Sequence, residues 1–276
     1  MPGPAPRPTP PATPEPGSTL DRALQAAVGK QHVLVVEGAD DRAFFEALLT
    51  RVDPAWPGRL GVVHADGRGR ALRWTQSGGP FAQALCYVDR DAWTQAEVAQ
   101  RQAAHGRLFV TDGWCIENLV VMLASKGHFG EILRAKLAQD RDAWVRAGSF
   151  GWVWQRWQDE ITAMVDGQSF AMPGHLDLRS GDALHAGLTA RLGAAHQGPV
   201  GELVGRWERR LDTMLQLTEA EQWRQAVHGK KYMRDQLKSR LAKERPKGED
   251  EHAWLAGVVN AHRDHSLSSL LAALGL

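Results

Sequence analysis

The sequence predicts an α/β fold: a mostly parallel four-stranded sheet flanked by helices, followed by an all-helical C-terminal region. Three observations predict it. Four short apolar runs, HVLVVE (32–37), LGVVHA (60–65), ALCYV (84–88) and RLFVT (107–111), read as strands buried in a sheet. Segments with apolar residues at helical spacing lie between them, the alternation expected of right-handed parallel crossovers. Beyond about residue 126 only helical periods recur.

Taken in order, the chain opens with MPGPAPRPTPPATPEPG (1–17), where proline alternates with small residues. That composition neither packs a core nor sustains a helix, and it predicts a disordered tail. Ser18 or Thr19 is placed to cap a helix with Leu20, Ala23, Leu24 and Ala27 on one face. The first strand ends at Glu37 and Gly38 breaks it. A helix follows with Phe44, Phe45, Leu48, Leu49 and Val52 inward and Asp40 or Asp41 at its start. After the second strand, DGRGR (66–70) reads as a loop, and the third strand ends at Asp89. Asp112 or Gly113 then opens a helix with Ile116, Leu119, Val120 and Leu123 on its apolar face.

Helical patterns continue over 128–147, 150–165, 181–195, 200–216, 219–228, 230–244, 250–262 and 267–275, with 166–180 as a long loop. Thr218 with Glu221 forms a capping box, and Ser266 suits an N-cap. The predicted organisation is a tail (1–17), an α/β domain (18–126) and a helical region (127–276) that packs on it or extends it.

Composition bounds the function. A chain of 276 residues, 43% of them hydrophobic, can build a substantial core. No apolar run approaches the roughly 18–20 residues of a membrane helix. The N-terminus lacks the basic start and apolar core of a secretory signal, so the expectation is a cytoplasmic protein with no membrane partner. The two cysteines, Cys86 and Cys115, lie in apolar segments without CxxC spacing, which points to buried thiols rather than a zinc site or a disulfide framework. A formal net charge of +1 neither announces nor excludes a nucleic-acid partner, because local charge sets the field near a site. From Arg224 to Lys247 there are nine Lys or Arg against Asp235 and Glu244.

The acidic residues carry the chemistry. Ligands of open α/β sheets bind beyond the carboxyl ends of the strands. Glu37 ends the first strand and Asp89 the third; Asp91 lies two residues on, and Asp41 one helical turn past Glu37. The topology thus directs four carboxylates to one rim, where they would repel one another and raise their own pKa values. Hard divalent cations resolve that conflict, and Mg²⁺ suits carboxylates that share coordination with phosphate oxygens. Either motif alone has an ordinary explanation, Asp40 or Asp41 as a helix cap and Asp-x-Asp as a common short pattern. Their order and placement on these elements make the metal reading the better one.

VVEGADD resembles the first motif of the TOPRIM domain, a strand ending in Glu-Gly with an acidic residue three positions after the glycine, here Asp41. YVDRDAW resembles the second, a strand-ending Asp-x-Asp. The fold is shared by primases, type II and type IA topoisomerases and OLD-family nucleases. The fuller pattern is similar to OLD-like TOPRIM proteins, including the stand-alone family of unknown function found in bacterial anti-phage modules. DGRGR resembles their Gly-rich basic turn, TDGWCIENLV their Ile-Glu-Asn-aliphatic helix, and HGKKYMRDQL a late Gly-Lys helix start. The likeness covers about residues 32–124 and returns near 228–240.

The resemblance implies that Glu37 is a metal ligand or proton-transfer group, that Asp41 supports the metal shell, and that Asp89 and Asp91 are the principal ligands. Glu117 either joins the metal rim or pairs locally, and Asn118 shares that alternative. The implied cofactor is Mg²⁺ or Mn²⁺, as one ion or two. Two metal ions about 3.5–4 Å apart can serve both attack and departure in phosphodiester hydrolysis. Glu37 or Glu117 would accept a proton from water, and Lys230 or Lys231 would neutralise the leaving oxygen. Arg68, Arg70, Lys231, Arg234 and Lys238 would contact phosphates of DNA or RNA. Trp152, Trp154 and Trp157 either stack on bases or form core.

The expectation is therefore a metal-dependent nuclease, an anti-phage effector held inactive by a partner or by assembly. The alternative is a non-catalytic TOPRIM-like binding or sensor subunit working with an ATPase. The chain has no G-x-x-x-x-G-K-[ST] sequence, so that ATPase would be a separate subunit. The helical region would serve nucleic acid, that subunit or a second copy of this chain. Tyr87 and Tyr232 lack the context of a topoisomerase nucleophile.

Overall fold

Four strands form one all-parallel sheet in the order β2-β1-β3-β4. They are β1 (His32–Val36), β2 (Leu60–His64), β3 (Leu85–Val88) and β4 (Leu108–Val110). The structure, a computed structural model, describes residues 18–123, 128–158, 160, 175–193, 196–232, 245–261 and 265–276. The proline-rich tail, most of the 166–180 loop and residues 233–244, with Arg234 and Lys238, lie outside them.

Successive strand residues face opposite sides, and both sides are buried, as parallel strands require. Leu34, Val36, Val62 and Tyr87 point to one core, and Val35, Val63, Cys86 and Val88 to the other. Helices α1 (Thr19–Ala27), α3 (Arg68–Thr75) and α4 (Gln95–Ala104) cover the second face through Ala23, Ala71, Trp74 and Val98. Helices α2 (Ala39–Val52) and α5 (Ile116–Leu123) cover the first, with Phe44, Phe45, Leu48 and Leu49 inward as their spacing predicts.

Among the described residues the helical remainder comprises α6 (His128–Arg156), α7 (Gly181–Leu192), α8 (Gln197–Leu215), α9 (Glu219–Ala226), the short α10 (Gly229–Tyr232), α11 (Glu251–Ala261) and α12 (His265–Ala273). It divides between two cores. Leu255, Val259, Leu267 and Leu270 of α11 and α12 join the sheet's first face, whereas Val153, Leu188, Val204 and Trp207 build a separate helical core. Among the described residues no helix is long and apolar enough to cross a membrane.

Several local expectations give way to tertiary contacts. DGRGR is not a loop throughout: Asp66 and Gly67, at φ 54° and 122°, make the turn, and Arg68 already begins α3. α5 begins at Ile116 rather than at Asp112 or Gly113. The turn before it is held irregular because Thr111 Oγ1 donates to the Gly113 carbonyl and the Asp91 amide donates to that of Trp114. The 128–147 and 150–165 patterns join in one helix reaching Arg156, in which Gly148 lets the Ala226 carbonyl approach where a Cβ would overlap it. α12 starts at His265, so Ser266 lies inside the helix. Leu24 is exposed, because α1 buries only Ala23. The caps at Ser18, through Asp21, and at Thr218, through Glu221, form as predicted.

Candidate metal centre

The strand order places a topological switch between β1 and β3: the chain winds outward to β2 on one side and to β4 on the other. Ligand crevices form at the carboxyl ends of strands at such a point. Glu37 and Asp89 are the first residues past β1 and β3, and Glu37 Oε1 accepts the Asp89 amide at 2.8 Å. Strands adjacent in register, Val36 beside Tyr87, bring the two carboxylates to the same edge.

Asp41 stands in the first turn of α2. Gly38 caps that helix without a side chain, and Asp41 Oδ2 accepts the Gly38 amide at 2.8 Å. Asp40, its neighbour, faces outward to Lys230 Nζ at 2.7 Å. Asp89 Oδ1 accepts the Ile116 amide at 3.2 Å, which anchors the start of α5 to the rim. Asp91 adopts φ 50°, a left-handed conformation that aspartate tolerates, and its Oδ2 accepts from Arg68 Nη1 at 2.6 Å. Glu117 is half-buried; its charge acts on Asp41, Asp89 and Lys230, and its side chain also hydrogen-bonds the nearby Cys115 thiol, so it faces the rim and pairs locally at once.

These carboxylates disturb one another. Burial, and then Asp91, push Glu37 up to about 7, against the opposing pull of Arg68. Burial raises Asp41 to about 6, with Glu117 adding to it and the Gly38 hydrogen bond opposing it. Asp89 is raised well above the carboxylate range by burial and by repulsion from Asp41, Glu37, Glu117 and Asp91. Asp91 is also raised by burial, although Arg68 and hydrogen bonds with Gln155 and Trp114 work against that.

An all-oxygen, all-carboxylate donor set fits a hard divalent cation such as Mg²⁺ or Mn²⁺. The side chains do not form a ready cage: among the described residues no group of three His, Cys, Asp or Glu is arranged to hold a metal ion. Each is tied to an internal donor instead, and Arg68 serves Asp91 as its counter-ion. The residues that would hold a cation are Glu37, Asp41, Asp89, Asp91 and Glu117.

Asn118, adjacent to Glu117, has a different task. It is fully buried, and its Nδ2 donates to the carbonyls of Trp223 at 3.2 Å and Val227 at 2.8 Å. Its Oδ1 accepts the amides of Cys115 at 3.2 Å and Gly229 at 2.9 Å. This clamp draws the end of α9 and the start of α10 to the rim, and Lys230 follows with its amide on Cys115 Sγ at 3.3 Å. Burial works against the Lys230 ammonium, but Asp40, Glu117 and Asp41 outweigh it and raise its pKa.

The basic residues are distributed differently. Arg68 points inward to Asp91 and lies 4.5 Å from the Trp93 ring centre, while Arg70 sits 3.7 Å from Asp66. Lys231 is half-buried beside Lys230. Trp154 is core, and Trp152 and Trp157 carry Arg210 and Arg206 on their rings at 4.4 Å and 4.5 Å, so base stacking gives way to cation–π packing. Cys86 and Cys115 are both free and buried. Sequence reasoning missed Asp40 as the partner of Lys230, Gln155 beside Asp91, and the arginines Arg90 and Arg210. Each depends on residues far apart in the chain, and none has a local pattern to announce it. The chain matches no protein-family model and no curated protein, and the resemblance of its acidic motifs stands on those residues alone.

Proposed function

We propose that this chain is a divalent-metal-dependent phosphodiester hydrolase acting on DNA or RNA, with a role in anti-phage defence that rests on the TOPRIM and OLD-like resemblance. One observation carries the reading. Glu37 and Asp89 stand side by side at the topological switch of the sheet, with Asp41, Asp91 and Glu117 crowded against them, and burial together with repulsion from these neighbours raises the pKa values of Glu37, Asp41 and Asp89. Such an array is unfavourable alone and favourable around cations.

Bound Mg²⁺ or Mn²⁺ would supply electrostatic stabilisation of the phosphoryl oxygens. Glu37, with a pKa near neutrality, is suited to take the proton of the attacking water. Lys230, held at the rim through Asp40 and the Asn118 clamp, would offset negative charge on the departing oxygen.

A second reading, a non-catalytic TOPRIM-like sensor subunit serving a separate ATPase, is favoured by the hold of Arg68 on Asp91, which occupies one of the expected ligands. Cleavage of labelled plasmid, single-stranded DNA and total RNA with Mg²⁺ or Mn²⁺ separates the two. Metal-dependent cutting that disappears in Asp89→Asn supports the nuclease. Metal binding by calorimetry without cutting supports the sensor, and no metal binding by the wild type sinks both.

A further inference from the structure

Beside the acidic rim, the ends of β3 and β4 and helices α6, α8 and α9 line a cavity of about 240 Å³ in which three arginines, Arg90, Arg210 and Arg224, meet three carboxylates, Asp91, Asp112 and Glu221. Arg90 enters it from the residue after Asp89, Arg210 from α8 and Arg224 from α9, and Asp91 lines it at the boundary with the rim. The carboxylates that face these arginines are largely committed. Asp91 is bound to Arg68, Glu221 accepts the Thr218 amide and hydroxyl, and Asp112 lies 3.4 Å from Arg224.

Arg90 donates to the main-chain carbonyls of Trp93 and Asp112, and Arg210 to that of Gln225. Neither makes an ion pair with a carboxylate among the described residues. The Nε of Arg210 is buried without a hydrogen-bond partner among those residues, whereas the Nε of Arg224 faces Asp112 at 3.4 Å. Burial, and then the charges of Arg90 and Arg156, lower Arg210 to about 10. Arg156 itself is neutralised by Glu97 at 2.9 Å. Of the three guanidiniums only that of Arg224 has a carboxylate at ion-pair distance among the described residues; those of Arg90 and Arg210 are only partly compensated in a half-buried cavity, and an anion would relieve them.

The shape of the donors selects the anion. Planar guanidinium forks arriving from three elements match an oxyanion with several acceptor oxygens, as phosphate has. The indoles nearby are not open to a base: Arg68 and Arg101 lie 4.5 and 4.3 Å from the Trp93 centre, and Arg210 and Arg156 lie 4.4 and 5.2 Å from that of Trp152. We propose that this pocket seats a phosphate group of the nucleic-acid strand, next to the phosphodiester presented to the carboxylate rim. The assignment rests on the nuclease reading above. It names Arg90, Arg210 and Arg224 as the residues that fix where along the strand that reading would act.

The test is fluorescence polarisation of a labelled single strand of about 12 nucleotides on the full chain in EDTA, at several salt concentrations, for wild type, Arg90→Gln and Arg210→Gln. Arg191→Gln, at an exposed position of α7, controls for loss of charge alone. The expected result is binding weakened about tenfold in either pocket variant, with a salt slope smaller by about one, while Arg191→Gln stays near wild type. Inorganic phosphate should compete with the strand on wild type and not on Arg210→Gln. Thermal melts establish that the variants fold, and Arg210→Lys, which keeps the charge without the fork, should fall between wild type and Arg210→Gln.

Unchanged affinity and slope in both pocket variants would overturn the proposal. So would phosphate raising the melting temperature of wild type but not Arg210→Gln while strand binding stays the same; the pocket would then take free phosphate. Calorimetry with Mn²⁺ separates the two readings. Arginine-dependent strand binding without Mn²⁺ binding supports the phosphate site and sinks the metal centre. Mn²⁺ binding with arginine-independent strand affinity does the reverse.

Discussion

Asn118 and Gly229, far apart in sequence, meet in a single buried hydrogen bond, Gly229 amide to Asn118 Oδ1 at 2.9 Å. Four further hydrogen bonds to Asn118, with the Cys115 amide and thiol and the Trp223 and Val227 carbonyls, satisfy the rest of the amide side chain. Asn118→Ala would leave two carbonyls and two amides unpaired in the interior, at a cost of about 3 kcal/mol. Gly229→Ala should be damaging for a separate reason, since its Cβ would lie 2.7 Å from Asn118 Oδ1. Urea denaturation measures both; a loss well under about 1 kcal/mol in Asn118→Ala would show that the clamp is dispensable.

The carboxylate rim predicts the sign of the pH dependence. Glu37 at about 7, Asp41 at about 6 and Asp89, raised well above its usual value, all hold protons in the folded chain that the unfolded chain has released. Where the native state binds more protons, stability falls as pH rises. The stability that Glu37 and Asp41 contribute is therefore complete below about pH 4 and lost through about pH 7, and Asp89 adds to it in the same sense. Divalent cations compete with those protons, so stabilisation by Mg²⁺ should grow across the same window. Melting temperatures with EDTA and with Mg²⁺ check both statements, and a metal-free stability that climbs through that range would contradict them.

Asp89→Asn separates stability from function. The asparagine Oδ1 still accepts the Ile116 amide, while a buried carboxyl that the fold keeps protonated above its ordinary range is replaced by a group that is always neutral. The metal-free protein should be stabilised by about 1 kcal/mol above neutrality, and calorimetry with Mn²⁺ should show binding lost. Retained Mn²⁺ affinity would remove Asp89 from the metal centre.

Lys230 offers the converse separation. Its ion pair with Asp40 is more than half exposed on both sides and contributes about 0–1 kcal/mol. Lys230→Ala should therefore melt near wild type, yet lose about 100-fold or more in cleavage if the ammonium acts on the departing oxygen. Asp40→Asn, which frees the same ammonium, should retain cleavage. Equal loss in both variants would assign the pair a structural role.

The sequence by itself determined the elements. Unbroken apolar runs located all four strands within a residue or so at each end, because parallel strands buried on both faces leave no place for polar side chains. It also identified Glu37, Asp41, Asp89 and Asp91 as rim residues, since a residue that ends a strand or opens the next helix has its position set by chain geometry within a few residues. Glu117 was legible only as an alternative, because a helix position does not say which face the rest of the molecule will cover.

Only the tertiary structure decided the strand order that puts β1 beside β3, the clamp of Asn118 on Gly229, and the inward turn of Arg68 to Asp91. It also decided the convergence of Arg90, Arg210 and Arg224. The reason is physical: strand periodicity and capping are local and repeat within a few residues. Pairing a buried amide or arranging three arginines depends on how distant helices pack, and no short segment encodes that packing.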